Sequence, residues 1–144
     1  MKNIDKFGLV TIKNDSILLC RPHAFPDLIT IGGTKEGNES YVENLTREVY
    51  EELGCNAVID IESLKYFGRF VDRAAGRSER TVTIDLYIGE IFGDLRASSE
   101  IAELVWYRPY CGSYVLSDIV KNKIVPALIA TGALNWNSIA YPAA

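Results

Sequence analysis

The chain is poor in the residues on which several common kinds of active site depend. Its 144 residues include one histidine, His23, and three widely spaced cysteines, Cys20, Cys55 and Cys111. A single histidine excludes histidine-rich zinc sites and leaves one candidate base for a Ser-His-Asp or Cys-His mechanism. An odd number of distant cysteines is typical of reduced thiols in the cytoplasm rather than of a disulfide framework.

Long apolar runs and an excess of positive charge are also absent. No uninterrupted apolar stretch approaches the ~18 residues of a membrane-spanning helix, and the first six residues are not followed by the apolar segment of a signal peptide. Fifteen lysines and arginines stand against 19 aspartates and glutamates, which gives a net charge of −4. We therefore predict a cytoplasmic protein that binds neither a membrane nor a nucleic acid polymer.

The hydrophobic pattern predicts one α/β (or α+β) domain over residues 1–144, with its core at about residues 5–135. Runs of β-forming residues predict strands at Phe7–Lys13, Ile17–Arg21, Asp27–Ile31, Ser63–Val71, Arg80–Phe92 and Glu103–Tyr107. A helix should begin at Glu39 or Ser40 and end at Gly54. Ser117 should cap a second helix, which Pro126 kinks or splits. The expected architecture is a mixed β-sheet flanked by two helices.

The first predicted helix carries three carboxylates on one face. Glu48, Glu51 and Glu52 stand at positions i, i+3 and i+4, beside the apolar stripe. Like charges at this spacing cost about 0.2–0.5 kcal/mol per pair, and the end of a helix disfavours anions by about 0.3–1 kcal/mol each. A divalent cation reverses both effects, and oxygen ligands favour Mg²⁺ first and Mn²⁺ second. A solvated acidic surface is the alternative that this helix alone leaves open.

The residues around this helix resemble the sequence box of the Nudix hydrolases. That box reads Gly-x5-Glu-x7-Arg-Glu-U-x-Glu-Glu-x-Gly-U, where U is a bulky apolar residue. Its specified positions are occupied here by Gly33, Glu39, Arg47, Glu48, Val49, Glu51, Glu52, Gly54 and Cys55. Nine specified positions over 23 residues make the motif specific, although cysteine is an unusual choice for the last one. The resemblance implies an α/β/α sandwich that hydrolyses a nucleoside diphosphate linked to another group X.

The resemblance also implies roles for individual residues. The metal ions would be held by the carbonyl of Gly32 and by the carboxylates of Glu48, Glu51 and Glu52. Glu39 would lie beside the metals and the substrate, and Arg47 would orient the carboxylates through charge-assisted hydrogen bonds. Glu100 stands where some members have a further ligand or a general base. Glu51 or Glu48 within the helix, and Glu100 as their rival, remain open as the base.

Arginines gather around the predicted Asp72–Glu79 loop of an otherwise acidic chain. The cluster consists of Arg69, Arg73, Arg77 and Arg80, which are candidates for binding phosphate or a ribose hydroxyl, because a guanidinium group matches phosphate with two hydrogen bonds. A solvated hairpin tip, in which acidic neighbours pair with these arginines, is the alternative.

The predicted function is the Mg²⁺-dependent hydrolysis of a pyrophosphate bond in a small nucleotide. A (deoxy)nucleoside triphosphate is preferred over ADP-ribose or another nucleoside diphosphate sugar, mainly because the chain is short. The alternative from another class is a module that binds a nucleotide without hydrolysing it. Such modules usually lose a glutamate or the arginine of the box, and here all are present. A homodimer is left open, since members of the family often dimerise.

Overall fold

Eight strands and two α-helices follow one another in the computed structural model, which describes residues 2–76, 79–109 and 112–136. In chain order they are β1 (Asn3–Val10), β2 (Ile12–Lys13), β3 (Ser16–Pro22), β4 (Asp27–Thr34), α1 (Tyr41–Leu53), β5 (Ala57–Arg73), β6 (Thr81–Gly93), β7 (Ile101–Tyr107), β8 (Val115–Leu116) and α2 (Val125–Ala130). A π-helical segment, Val120–Ile124, leads directly into α2. None of the described helices combines the length and the apolar character that crossing a bilayer would require.

The strands form one mixed sheet with a helical layer on each face. Its order is β2-β3-β4-β1-β6-β5, with β7 added beside β3 and β8 beside β4. The pairs β1–β6 and β4–β8 are parallel, and the other pairs are antiparallel. Adjacent residues point to opposite faces, so Leu9 packs beneath α1 whereas Val10 packs beneath the π-helical segment and α2. The predicted α/β architecture is confirmed.

Several strands extend beyond their predicted ends, and two of these extensions concern the site or the sheet edge. The structure continues β4 through Gly32 and Gly33 to Thr34, whereas the sequence predicted an end at Ile31. Backbone pairing with β1 stabilises this extension, since Phe7 lies opposite Gly33. Similarly, β5 begins at Ala57 rather than Ser63, because its first residues pair with the end of β6. Both extensions depend on pairing between distant segments, which local residue preference does not report.

Helix α1 has the predicted ends. Ser40 is its N-cap, and a reciprocal pair of hydrogen bonds joins Ser40 and Glu43 in a capping box. Gly54 lies at the C-terminal end with a φ of 94°. The apolar stripe of the helix, formed by Leu45, Val49 and Leu53, is buried against the sheet. Burial of this stripe against the sheet therefore fixes the direction in which the acidic residues of α1 point.

The second helical region is split before Pro126, as predicted. The N–H of Val125 donates to the carbonyl of Val120, five residues earlier, and Pro126 then starts the first turn of α2. The predicted cap is wrong: the side chain of Ser117 makes no cap hydrogen bond, and its Oγ is buried with no hydrogen-bond partner in the described structure. The backbone carbonyl of Ser117 instead accepts from the N–H of Lys121 at 2.9 Å.

Candidate active site

Two glycines at the end of β4 bring its backbone against the acidic face of α1. Gly32 has a φ of 128°, and a Cβ atom there would lie 2.2 Å from the carbonyl oxygen of Phe7. A Cβ atom on Gly33 would lie 2.3 Å from Oε1 of Glu48. Gly32 is needed for its backbone conformation and its clearance from Phe7, and Gly33 for its clearance from Glu48. The paired glycines are therefore a steric condition for placing Glu48 beside the strand.

Three carboxylates from two distant segments converge next to these glycines. Glu48 and Glu52 on α1, and Glu100 in the loop before β7, present oxygen atoms that all lie within 4.8 Å of one another. Glu48 and Glu52 are buried, and Glu100 is exposed. Oε1 of Glu52 accepts a hydrogen bond from the N–H of Gly32 at 2.9 Å. The backbone of Glu100 is held in turn, because its carbonyl accepts from the N–H of His23 at 2.9 Å.

Glu51 is less closely integrated than the sequence predicted. It lines the same cavity as Glu48, Glu52 and Glu100, but its side chain is 46% exposed and it is not a member of the close carboxylate group. Its nearest cation is Arg47, whose Nη1 lies 3.6 Å from Oε2 of Glu51. The structure thus gives Glu100 the place in the cluster that helical spacing predicted for Glu51.

Arg47 joins the acidic cluster to the segment that precedes α1. Its Nε and Nη2 donate to the two carboxylate oxygens of Glu39 at 2.8 and 3.0 Å, and its Nη1 donates to Oε1 of Glu48 at 2.8 Å. Nη2 also lies 3.3 Å from Oε2 of Glu36. A two-point pair with Glu39 fixes the guanidinium plane, so the direction of the bond to Glu48 is fixed as well.

The electrostatic state of the site differs from one glutamate to the next. Burial above all, together with the nearby carboxylates of Glu48 and Glu100, raises the pKa of Glu52 to about 8. Burial likewise raises the pKa of Glu48, against the lowering effect of Arg47. Hydrogen bonds from Arg47 lower the pKa of Glu39 to about 2. Ionising Glu48 and Glu52 together is therefore unfavourable without an added cation, and oxygen-only donors suit a hard divalent ion.

The carboxylates face an open cavity that adjoins a second, more apolar one. The first has a volume of about 760 Å³ and is lined by the acidic residues of α1, by Glu100 and by residues 22–25. The second has a volume of about 240 Å³, and its walls are mostly apolar. Lys6, Phe25, Ile29 and Gly32 line both. A molecule with one anionic part and one flat apolar part would fit across the two.

Of the predicted arginines within the described residues, only Arg80 lines a cavity, the smaller one. Arg69 forms a bidentate pair with Asp85, with Nε–Oδ1 and Nη2–Oδ2 distances of 2.9 and 3.1 Å. Arg73 is exposed at the end of β5, and Arg77 lies outside the described residues. Neither Arg69 nor Arg73 lines the two cavities, and Glu39 is also behind the cavity wall, where it binds Arg47.

Sequence reasoning missed two residues at the cavities and one buried anion nearby. Lys6 lines both cavities, and Ser117 lines the smaller one with its unpartnered Oγ. Asp85 is buried in the middle of β6, where the alternating pattern predicted a solvent-facing position. The alternation itself was correct, but α1 covers the second face of the sheet. A charge in the middle of an otherwise apolar strand was the available signal for Asp85.

Comparison with known proteins points to one family. A family model described as a NUDIX domain matches residues 2–110. No curated protein matches the chain in a sequence comparison. Among solved structures, a UDP-X diphosphatase superposes with a TM-score of 0.70 at 16% identity; the match covers 92% of this chain but only 65% of that one.

Two further structures are similar over most of both chains. The solution structure of the ORF135 protein of E. coli has a TM-score of 0.62 and 27% identity, over 100% of this chain and 96% of that one. An ADP-ribose pyrophosphatase from Streptococcus suis has a TM-score of 0.59 and 19% identity, over 93% of this chain and 96% of that one.

Proposed function

The chain belongs to the Nudix hydrolase family, and from this premise we propose that it hydrolyses a pyrophosphate bond of a nucleoside phosphate with the help of Mg²⁺. The convergence of the Glu48, Glu52 and Glu100 carboxylates at a cavity that adjoins an apolar one carries this proposal. The anionic part of the substrate would occupy the acidic cavity together with the cation. The nucleoside would occupy the apolar cavity.

The donor set fits a hard divalent cation. Glu48 and Glu52 are buried carboxylates, and Glu100 reaches them from a separate loop. We propose these three as ligands, with the Gly32 carbonyl as a fourth, and Mn²⁺ as a working substitute for Mg²⁺. When bound, the cation neutralises phosphate oxygens and makes water a stronger nucleophile.

The side chains of this chain would then orient the reactants and take up a proton. Glu48 is held by Arg47 and is buried, which suits a ligand better than a base. Glu51 faces the same cavity and is half exposed, so we propose that it accepts the proton of the attacking water. The attack forms a new bond from the water oxygen to one phosphorus and breaks the anhydride bond at that phosphorus, and the group on the far side leaves with the bridging oxygen.

Glu100 is the rival base, and kinetics of two variants would distinguish the roles. Glu51→Gln should lower kcat while leaving Mn²⁺ affinity unchanged, because a base acts on water without holding the cation. Glu100→Gln should lower both, as expected for a ligand. The reverse pattern would assign the proton to Glu100.

The apolar cavity supports a base-containing substrate. Isoleucine, valine and alanine side chains form most of its wall, and Phe25 stands at its border with the acidic cavity. Such walls suit the faces of a nucleobase, and the unpartnered Oγ of Ser117 can exchange a hydrogen bond with the edge of the base. We propose a (deoxy)nucleoside triphosphate as the substrate. A similar structure is named an ADP-ribose pyrophosphatase, so ADP-ribose is the second candidate.

A panel of nucleotides incubated with Mg²⁺ would test the function. The panel should contain the eight common (deoxy)nucleoside triphosphates, ADP-ribose and UDP-sugars, with the products identified by chromatography. A nucleoside monophosphate and pyrophosphate from a triphosphate would support the first candidate, and AMP and ribose 5-phosphate the second. Binding of a nucleotide with no product from any of them would favour the non-catalytic module.

The cellular setting is also a proposal. Cys20 is buried and Cys55 is exposed, both as free thiols, which suits a reducing compartment such as the cytoplasm. A cavity built for a cation and one nucleoside favours free nucleotides over nucleic acid polymers. Fractionation of cells and light scattering of the purified protein would test the location and a homodimer.

A further inference from the structure

The segment between β4 and α1 controls two contacts of the proposed cation site. It follows directly on the end of β4, where Gly33 lies against Glu48, and it contains Glu39, which binds Arg47. A shift of this segment would therefore move Glu48 from both directions. The question is what holds the segment, since Gly33 has no side chain and Glu39 lies just before the N-cap of α1.

Asn44, in the first turns of α1, holds this segment at three points. Its Nδ2 lies 3.0 Å from the carbonyl oxygen of Thr34, 3.0 Å from Oε1 of Glu39 and 3.4 Å from the carbonyl oxygen of Gly33. All three neighbours are acceptors, so the amino group and not the amide oxygen must face them. Oε1 of Glu39 accepts from Asn44 and from Arg47 at once.

The position of Asn44 is costly for the stability of the helix. The residue has no exposed surface, and its Oδ1 has no hydrogen-bond partner in the described structure. An unpartnered buried acceptor destabilises the folded state, and asparagine is a weaker helix former than alanine or leucine. The Nudix box leaves this position unspecified. Helix formation and core packing therefore do not account for an asparagine here, whereas its contacts to the preceding segment do.

We propose that Asn44 is a positioning residue that sets the geometry of the cation site through two routes. One route runs through the Gly33 carbonyl to the backbone that Glu48 touches. The other runs through Glu39 to Arg47 and on to Glu48. The proposal rests on the cation site proposed above, and it concerns a residue that contacts neither the cation nor the substrate.

Mn²⁺ binding to the substrate-free protein tests this role without any turnover. Asn44→Ala should weaken Mn²⁺ binding about tenfold, the lower end of the range for residues that orient metal ligands. Asn44→Ser keeps one hydrogen-bond donor, so its Mn²⁺ affinity should lie between those of the wild type and Asn44→Ala. Electron paramagnetic resonance of free Mn²⁺ gives the dissociation constant. In the matched assay kcat should fall with the same rank order, while KM for the nucleotide changes less than about twofold.

Leu45→Val is the matched control, because Leu45 is the next residue, is equally buried and has no polar contact. It should lower Tm by loss of packing, with Mn²⁺ affinity unchanged. If Asn44→Ala or Asn44→Ser binds Mn²⁺ as tightly as the wild type, the positioning role is wrong. An equal loss of Mn²⁺ affinity in Leu45→Val would also overturn the proposal, because the loss would then be explained by the lower stability of the protein. If the wild type itself binds no Mn²⁺, the cation site fails and this role fails with it.

Discussion

The carboxylates of Asp85 and of Glu52 are both buried, yet their surroundings are opposite. Asp85 accepts hydrogen bonds from Lys35 at 2.6 Å, from Arg69 at 2.9 and 3.1 Å and from the hydroxyl of Tyr66 at 3.0 Å. Arg69 above all, together with Lys35 and Tyr66, lowers the pKa of Asp85 well below its usual range. Glu52 accepts from one neutral backbone N–H, and burial raises its pKa.

The difference separates a structural anion from a functional one. The chain supplies the counter-charge of Asp85 itself, so that site is complete and ties Lys35 and Arg69 to the sheet. The counter-charge of the Glu48–Glu52–Glu100 cluster is incomplete, because Arg47 pairs with Glu48, whereas Glu52 has only the more distant Lys6 against two further carboxylates. Buried charge without a partner is unfavourable. A site that retains it is expected to receive its partner from outside, as a cation.

Replacing the Glu52 carboxylate should give the largest effect, and this effect should be a loss of activity rather than of stability. Glu52→Gln keeps the acceptor for the Gly32 N–H but removes the charge. We expect kcat/KM to fall by about 10²–10⁴, while Tm of the cation-free protein stays equal or rises. Steady-state kinetics and calorimetry give the two numbers, with Glu62→Gln on an exposed position of β5 as the control. Activity within a few-fold of the wild type would refute the assignment of Glu52.

Stabilisation by the cation should distinguish the variants of the two sites. It should be lost in Glu52→Gln and kept in Asp85→Asn. At one hundred times its dissociation constant, Mg²⁺ should stabilise the wild type by about 2.7 kcal/mol. The same increase in Tm should appear in Asp85→Asn and vanish in Glu52→Gln. Differential scanning fluorimetry with Mg²⁺ and with a chelator measures it. An equal shift in all three proteins would mean that the ion binds elsewhere.

Replacing Asp85, the carboxylate that the chain pairs with its own cations, should lower stability rather than activity. Asp85→Asn leaves Lys35 and Arg69 without their carboxylate, and we expect a loss of about 1–3 kcal/mol. The lower end applies if these partly exposed cations regain water. Urea unfolding gives the free energy, and kcat at saturating Mg²⁺ should stay within about twofold of the wild type. A large loss of kcat with little loss of stability would reverse the roles of the two sites.

At low pH, the difference in unfolding free energy between the wild type and Asp85→Asn should become smaller. A carboxylate with a lowered pKa in the folded state contributes stability above its unfolded-state pKa, which for an ordinary aspartate is 3.8. That contribution is lost as pH falls through the folded-state pKa. The difference in unfolding free energy should therefore be constant from pH 7 to about 5 and should shrink below about pH 4. A difference that grows on acidification would contradict the pairing.

Local sequence signals were sufficient for the elements next to the site. The capping residues Ser40 and Glu43, the end of α1 at Gly54 and the split before Pro126 follow from the residues at those positions. The spacing of the box glutamates fixed which face of α1 is acidic. Failures arose where distant segments meet: the cap expected of Ser117 is absent because that side chain turns into a cavity wall.

The sequence by itself determined the mixed fold and an acidic helix face, because capping, periodicity and motif spacing are properties of neighbouring residues. Only the tertiary structure decided which carboxylates meet, since Glu100 joins Glu48 and Glu52 from about fifty positions away along the chain. It also decided that Asp85 is neutralised and Glu52 is not. The charge on a buried side chain depends on every group packed around it, and those groups come from strands and loops that only folding brings together.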